Sequence, residues 1–203
     1  MEVKPLPWDA QAISRFEAEG PFLWLWEPQE LAAVLGAGTP AGDVNLPLCA
    51  MTGVPVYRRR GGGGAVLLGP GVVVITAAYR PEGRTFATQW VEPVARGIAD
   101  ALADLGVSEA HVKGLGDVAL GERKILGSSL YARRDLVLYQ GSLLVESDLS
   151  LIPQYLPHPS REPDYRRGRE HLNFVTSLAE SGHRLERGAL YAALAERLAP
   201  GKV

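Results

Sequence analysis

The chain has 203 residues, 46% of them apolar, with a formal charge of -2 and a pI near 6.1. That length holds one sizeable core, and without a surplus of Lys and Arg the chain is not expected to bind nucleic acid broadly, so any anion site must be local. A single cysteine, Cys49, excludes an internal disulfide and four-cysteine zinc centres. The N-terminus has no apolar signal core and the longest apolar run, 71–79, is too short for a membrane helix; a cytoplasmic protein with no membrane partner is expected.

In chain order, the aromatic and aliphatic segment Phe22 to Pro28 predicts a buried strand, followed by a short helix through Glu30 to Leu35. Residues 36–49 lose periodicity and collect Gly, Pro, Ala and Asp, which predicts a surface loop. Cys49 itself, in Leu-Pro-Leu-Cys-Ala-Met, has the setting of a buried small hydrophobe. Two β-type runs follow, Val54 to Tyr57 and Ala65 to Leu68, then the β-branched run Gly71 to Thr76 behind a Gly-Pro-Gly turn. Trp90, Val94, Ile98, Leu102 and Leu105 recur at helical spacing between Phe86 and Leu105, with Gly106 as the stop signal and a strand over Val107 to Val112. A hairpin is predicted from Glu122 to Tyr131 and Asp135 to Val145, turning at Arg133 and Arg134. From Asp148 onward prolines interrupt a helix-and-loop region that closes on an amphipathic helix through Leu190, Leu194 and Leu198.

Two constellations can carry chemistry. In Arg58-Arg59-Arg60-Gly61-Gly62-Gly63-Gly64-Ala65-Val66, four glycines leave backbone N–H groups uncovered beside arginines that can grip an anion with paired hydrogen bonds. The residues alone fit a flexible hairpin tip with solvated arginines equally well. No Gly-Lys-Ser/Thr follows, and dinucleotide spacing is absent, so the common nucleotide loops are excluded. In Gly116-Asp117-Val-Ala-Leu-Gly121-Glu-Arg-Lys124-Ile-Leu-Gly127-Ser128-Ser129, a strand lysine between glycine-bearing turns can neutralise a phosphate or an oxyanion, with Asp117 placed to orient it or to hold a metal ion. A lone strand lysine is more often exposed. The four histidines make no zinc pattern and read as surface or hydrogen-bonded residues.

In this order the two constellations resemble the lipoate-protein ligase A family, within the group that includes octanoyltransferases and biotin ligases. The family's Arg-Arg-x-Ser-Gly-Gly-Gly-Ala-Val is matched by Arg58, Arg59 and Gly62 to Val66, and its later Asp by Asp117. Its Arg-Lys-Ile/Val-x-Gly-Ser corresponds to Arg123-Lys124-Ile125 with Gly127-Ser128, and its His-Gly-Thr-Leu-Leu and Asp-Leu to Gln140 to Leu144 and Asp148-Leu149. Arg169 with Val175 to Leu178 looks like a further family segment. The resemblance implies an α/β fold of class II biotin/lipoate ligase type, a mixed, largely antiparallel sheet flanked by helices. It implies one catalytic domain over residues 1–203, helical from 150, without a small C-terminal accessory domain, which leaves three readings open: a transferase-like half, a chain completed by a separately encoded partner, or one that has lost activity.

It also implies attachment of lipoate or octanoate to a lysine of a lipoyl-domain acceptor through an acyl-adenylate, with ATP and Mg2+. Lys124 is then the catalytic residue, and Arg59, Gly62, Gly63, Gly64, Ala65, Asp117, Gly127 and Ser128 surround lipoyl-adenylate, Asp117 near the metal. Two departures stand out: the family's loop serine is Gly61 here, and its His-Asp pair after the loop is Leu68-Gly69. They keep in play a catalytically silent acyl-binding or regulatory module, while the Gly69-Pro70-Gly71 turn, which resembles that of octanoyltransferases, keeps a transferase drawing on octanoyl-acyl carrier protein as a second alternative.

Overall fold

A dense β-branched stretch packs best on a pleated surface covered on both sides, and residues 72–75 take that place at the centre of the protein. The computed structural model describes residues 2–81 and 86–202, with the backbone alone at 87 and 88. In chain order it contains β1 (Lys4–Pro5), α1 (Pro7–Glu19), β2 (Phe22–Trp26), β3 (Ala32–Leu35), α2 (Leu46–Thr52), β4 (Val56–Arg58), β5 (Val66–Leu68) and β6 (Val72–Tyr79). There follow α3 (Val91–Asp104), β7 (Ala110–Lys113), β8 (Asp117–Leu120), β9 (Arg123–Arg133), β10 (Leu136–Leu144), the single turns α4 (Ile152–Tyr155) and α5 (His171–Phe174), and α6 (Arg187–Leu198).

The strands form two sheets. Six make an antiparallel sheet in the order β2-β6-β10-β9-β8-β7, and four make a smaller one, β1-β4-β3-β5, with parallel and antiparallel pairs. Alternation along β6 sends Val73, Ile75, Ala77 and Tyr79 to one face, where they pack with α3 and α6. Val72 and Val74 point to the other face, against the small sheet, α2 and the turns after β10, while Ala78 meets α1. The fold is therefore mixed α/β with a largely antiparallel sheet, as expected, and no helix among the described residues is long and apolar enough to cross a membrane.

Several predicted elements differ. Residues 32–35 form a strand and not a helix: all four are buried, so they show no alternation to set them apart from a short apolar helix. The expected loop at 36–49 holds a 3₁₀ turn and the start of α2, capped by the Asn45 side chain accepting from the Leu48 N–H, with Cys49 fully buried. The long helix is shorter than predicted, its first turn, Ala87–Trp90, being 3₁₀. The hairpin turns one residue later, at Arg134 and Asp135, and β8 was hidden between two glycine turns.

Gly71 ties the two sheets to the end of β10. It has φ of +80°, its carbonyl accepts from the Val145 and Glu146 N–H groups, and a Cβ there would lie 2.6 Å from the Glu146 carbonyl carbon. Gly71→Ala is expected to destabilise the protein by at least about 1–3 kcal/mol, the cost of the backbone conformation alone. Urea unfolding checks this, and an unchanged midpoint would contradict it.

Candidate functional site

The glycine segment leaves β4 and crosses the open face of the large sheet. Arg59 turns inward and is only 6% exposed. A buried guanidinium must find acceptors, and Arg59 finds them in the loop it begins: Nε and Nη2 donate to the Gly62 carbonyl at 3.2 and 2.7 Å, and Nη2 also donates to that of Gly64 at 2.9 Å. Burial draws this group down to about 10, against the opposing pull of the Asp9 carboxylate. Arg58 instead holds the facing segment, donating to the Gly36 and Thr39 carbonyls at 2.8 Å, and Arg60 lies over the Tyr131 ring. The three arginines thus shape the loop, and only Arg59 reaches the cavity beneath it.

Lys124 enters that cavity from β9. A shift in register between β8 and β9 lies beside it, and its own carbonyl accepts from the Thr176 N–H at 2.9 Å. Arg123 donates to the Val175 carbonyl and Arg169 to that of Glu122, so the start of β9 is clamped by the segment 169–176. The Lys124 ammonium lies across Gly127, where a Cβ would be 2.9 Å from Nζ, and pairs with Asp117 Oδ1 at 2.9 Å. Asp117 Oδ2 accepts from the Tyr165 hydroxyl at 2.7 Å. Burial, and next the Asp117 charge, push the Tyr165 phenol well above its usual range, so it stays a donor. One ammonium proton is committed to Asp117 and the others can face a ligand.

The cavity encloses about 160 Å³ between the two sheets. Trp8, Trp26, Leu68, Val74 and Phe174 give it an apolar wall, and Lys124, Ser129, Gln140 and Ser142 a polar floor. The proline-bearing segment after α4 brings Arg161 and Arg166 to the cavity lining. Arg166 is 4% exposed, stands over the Phe174 ring and leaves Nη2 buried without a partner among the described residues, a donor for which an anionic ligand is a fitting acceptor.

Of the site residues predicted from sequence, Lys124, Arg59, Gly64, Ala65, Gly127 and Ser128 line the cavity. Gly62 and Gly63 do not; their carbonyls accept from Arg59 and from the Thr39 hydroxyl. Asp117 lies behind Lys124. Among the described residues no three His, Cys, Asp or Glu side chains gather for a metal, and both Asp117 oxygens are engaged, by Lys124 and by Tyr165. Cys49 does not line the cavity, and burial raises its thiol. Leu68-Gly69 adds wall: Leu68 faces the cavity and the Leu31 side chain fills the space beside Gly69.

Residues 5–199 match the family model for the lipoyl protein ligase A/B catalytic domain. The chain belongs to that family. Solved structures agree in fold. A bi-partite lipoate protein ligase of Thermoplasma acidophilum, described with its E2 lipoyl domain, is 21% identical with a TM-score of 0.76, over 93% of this chain and 76% of that one. A Thermoplasma acidophilum protein holding lipoic acid is 20% identical, TM-score 0.75, over 97% and 83%. A lipoate-protein ligase A bound with ATP is 22% identical, TM-score 0.70, over 98% and 86%.

Sequence reading missed Asp9, which joins this family's glycine loop to its sheet. Its carboxylate, 2% exposed at the start of α1, accepts from the Arg60 N–H at 2.6 Å and from the Gln140 amide at 2.9 Å. Nothing in the local pattern of α1 marks it, because its partners lie far along the chain. Burial raises the Asp9 carboxyl above its usual 3.8, against the lowering effect of those bonds and of Arg59 and Arg60. The folded protein therefore holds this proton more tightly than the unfolded chain. The resulting stability is present below 3.8 and is lost as pH rises through the folded value. Compared with Asp9→Asn, wild-type stability in urea is expected to improve as pH falls from about 7 toward about 4; a difference independent of pH would mean that Asp9 does not titrate in that window.

Proposed function

We propose that this protein attaches a lipoyl-type acyl group to a lysine of a lipoyl-domain acceptor. The observation that carries the reading is the Lys124 ammonium, fixed by Asp117 on the floor of an otherwise apolar-walled cavity under the glycine loop. An apolar chain fits against Trp8, Trp26 and Val74, with its carboxyl end toward Lys124. In the first step the carboxylate attacks the α-phosphorus of ATP and pyrophosphate leaves; in the second the neutral amine of the acceptor lysine attacks the acyl carbonyl, the amide forms, AMP leaves and a proton is released. Negative charge grows on the carbonyl oxygen and the departing phosphate, and a fixed ammonium offsets it without reorganising. Magnesium, when bound, neutralises phosphate charge. Arg161 and Arg166, whose Nη2 has no partner among the described residues, supply positive charge in the cavity lining for the nucleotide's phosphates.

We further propose that Lys124 is the catalytic group, that Arg59 with Gly62 to Ala65 shapes the roof over the adenylate, and that Gly127 and Ser128 form the adjoining wall. The whole of 1–203 then acts as one catalytic domain. The Thermoplasma relative is described as bi-partite; a similar arrangement here makes transfer from preformed lipoyl-adenylate the activity expected of this chain alone, with adenylate formation needing a second polypeptide. A thioester-forming octanoyltransferase is less well supported, since Cys49, the only cysteine, is buried away from the cavity.

The test is single-turnover transfer from lipoyl-adenylate to an apo lipoyl domain, read by mass. Lys124→Ala is expected to slow it by roughly 100-fold or more, the usual effect of removing one fixed charge at an oxyanion. Cys49→Ala should transfer at near the wild-type rate. Wild-type protein that binds the adenylate and transfers nothing supports the silent module, and loss of transfer in Cys49→Ala alone supports the thioester route.

A further inference from the structure

Gly61 occupies the position where the family pattern has a serine, and its backbone offers no reason for a glycine: it is not among the positive-φ residues. What excludes a side chain is the facing strand. A Cβ on residue 61 would lie 2.2 Å from Ser129 Oγ and 3.2 Å from the Leu130 carbonyl. The Ser129 hydroxyl already fills the space that a residue 61 side chain needs, so the site can carry a hydroxyl from the loop or from β9, but not from both.

That hydroxyl is out of place as a purely structural group. Ser129 Oγ is buried with no hydrogen-bond partner among the described residues, at the wall of the cavity. Buried donors are nearly always satisfied, and an exception beside a binding cavity points to a partner that arrives with the ligand. Ser129 pairs across the strands with Gln140, whose amide is held by Asp9, and shares a face of β9 with Gly127, across which the Lys124 ammonium lies. Two residues along one face of a strand stand roughly 7 Å apart, the reach of a carboxylate that accepts one hydrogen bond at each oxygen.

We propose that Ser129 is a binding residue for the acyl group: its hydroxyl donates to a carboxyl oxygen while Lys124 takes the other, and Gly61 is the change that makes room for it. This rests on the function proposed above and adds that the loop serine has been exchanged for a hydroxyl on the neighbouring strand.

The experiment is calorimetric titration of lipoate, and separately of a non-hydrolysable lipoyl-adenylate analogue, into wild type, Ser129→Ala, Gly61→Ser and the double variant, with each melting temperature recorded. Ser129→Ala is expected to lower affinity about tenfold without loss of melting temperature, the usual size of one missing hydrogen bond. Gly61→Ser alone should bind worse and melt lower, because two side chains then compete for one space. The double variant should recover to within about threefold of wild type, its loop hydroxyl replacing the one removed, whereas a packing role for Ser129 predicts no loss of affinity in Ser129→Ala alone. Equal affinity in wild type and Ser129→Ala, or a double variant no better than the weaker single one, overturns the assignment of Ser129 and leaves the proposed function standing. Wild type that is folded and binds neither probe removes the proposed function and this inference with it.

Discussion

Everything at the site hangs on where a buried guanidinium finds its acceptors. Arg59 has almost no contact with water, so each N–H it cannot place inside the protein is a direct cost, and the carbonyls of Gly62 and Gly64 are within reach because the chain turns back over it. That return fixes the loop above the large sheet. Once the loop is there, side chains are excluded wherever it touches: a Cβ at Gly36 would lie 1.9 Å from the Gly63 carbonyl oxygen, just as one at Gly61 would strike Ser129. The run of glycines therefore gives a roof that lies close to its floor, and the cavity is what remains between them.

The floor is organised from much farther along the chain. Lys124 could have been an ordinary exposed strand residue; what prevents it is a second clamp, in which Arg123 donates to the Val175 carbonyl of the segment packed on β9 and Arg169 of that segment donates back to the Glu122 carbonyl. With the first residues of β9 held in this way, the Lys124 side chain lies over Gly127 and meets Asp117, which Tyr165 secures from the other side. A partly buried ion pair of this kind says little about stability but much about direction, because it keeps one charge aimed at one place. Asp9 joins the two systems, bonding the loop at Arg60 and the floor at Gln140.

Much of this was legible in the sequence, for reasons that can be named. The helix through Val94, Ile98 and Leu102 has one wet face, so its period shows; β3 is wet on neither, so Ala32 to Leu35 read as a helix. The glycine loop and Lys124 stood out by residue type and order. Asp9 did not, since a buried charge is recognised by its partners and Arg60 and Gln140 lie far along the chain; Arg166 did not, because nothing in its run of arginines singles out the one that is buried over the Phe174 ring. Ser129 is an intermediate case. It follows the Gly127-Ser128 pair, and strand alternation alone places 127 and 129 on one face, so the pleat was enough to mark it.

The sealed position of Cys49 bears on what the cavity can safely carry. A lipoyl group ends in a strained cyclic disulfide, which a neighbouring thiolate opens by exchange. Here the only sulfhydryl in the chain is fully buried in the core between the small sheet and the turns after β10, away from the cavity lining, with its ionisation suppressed by burial. On the function proposed above, a dithiolane held in this cavity would meet no cysteine of the chain, and ring opening by exchange would need a thiol from elsewhere.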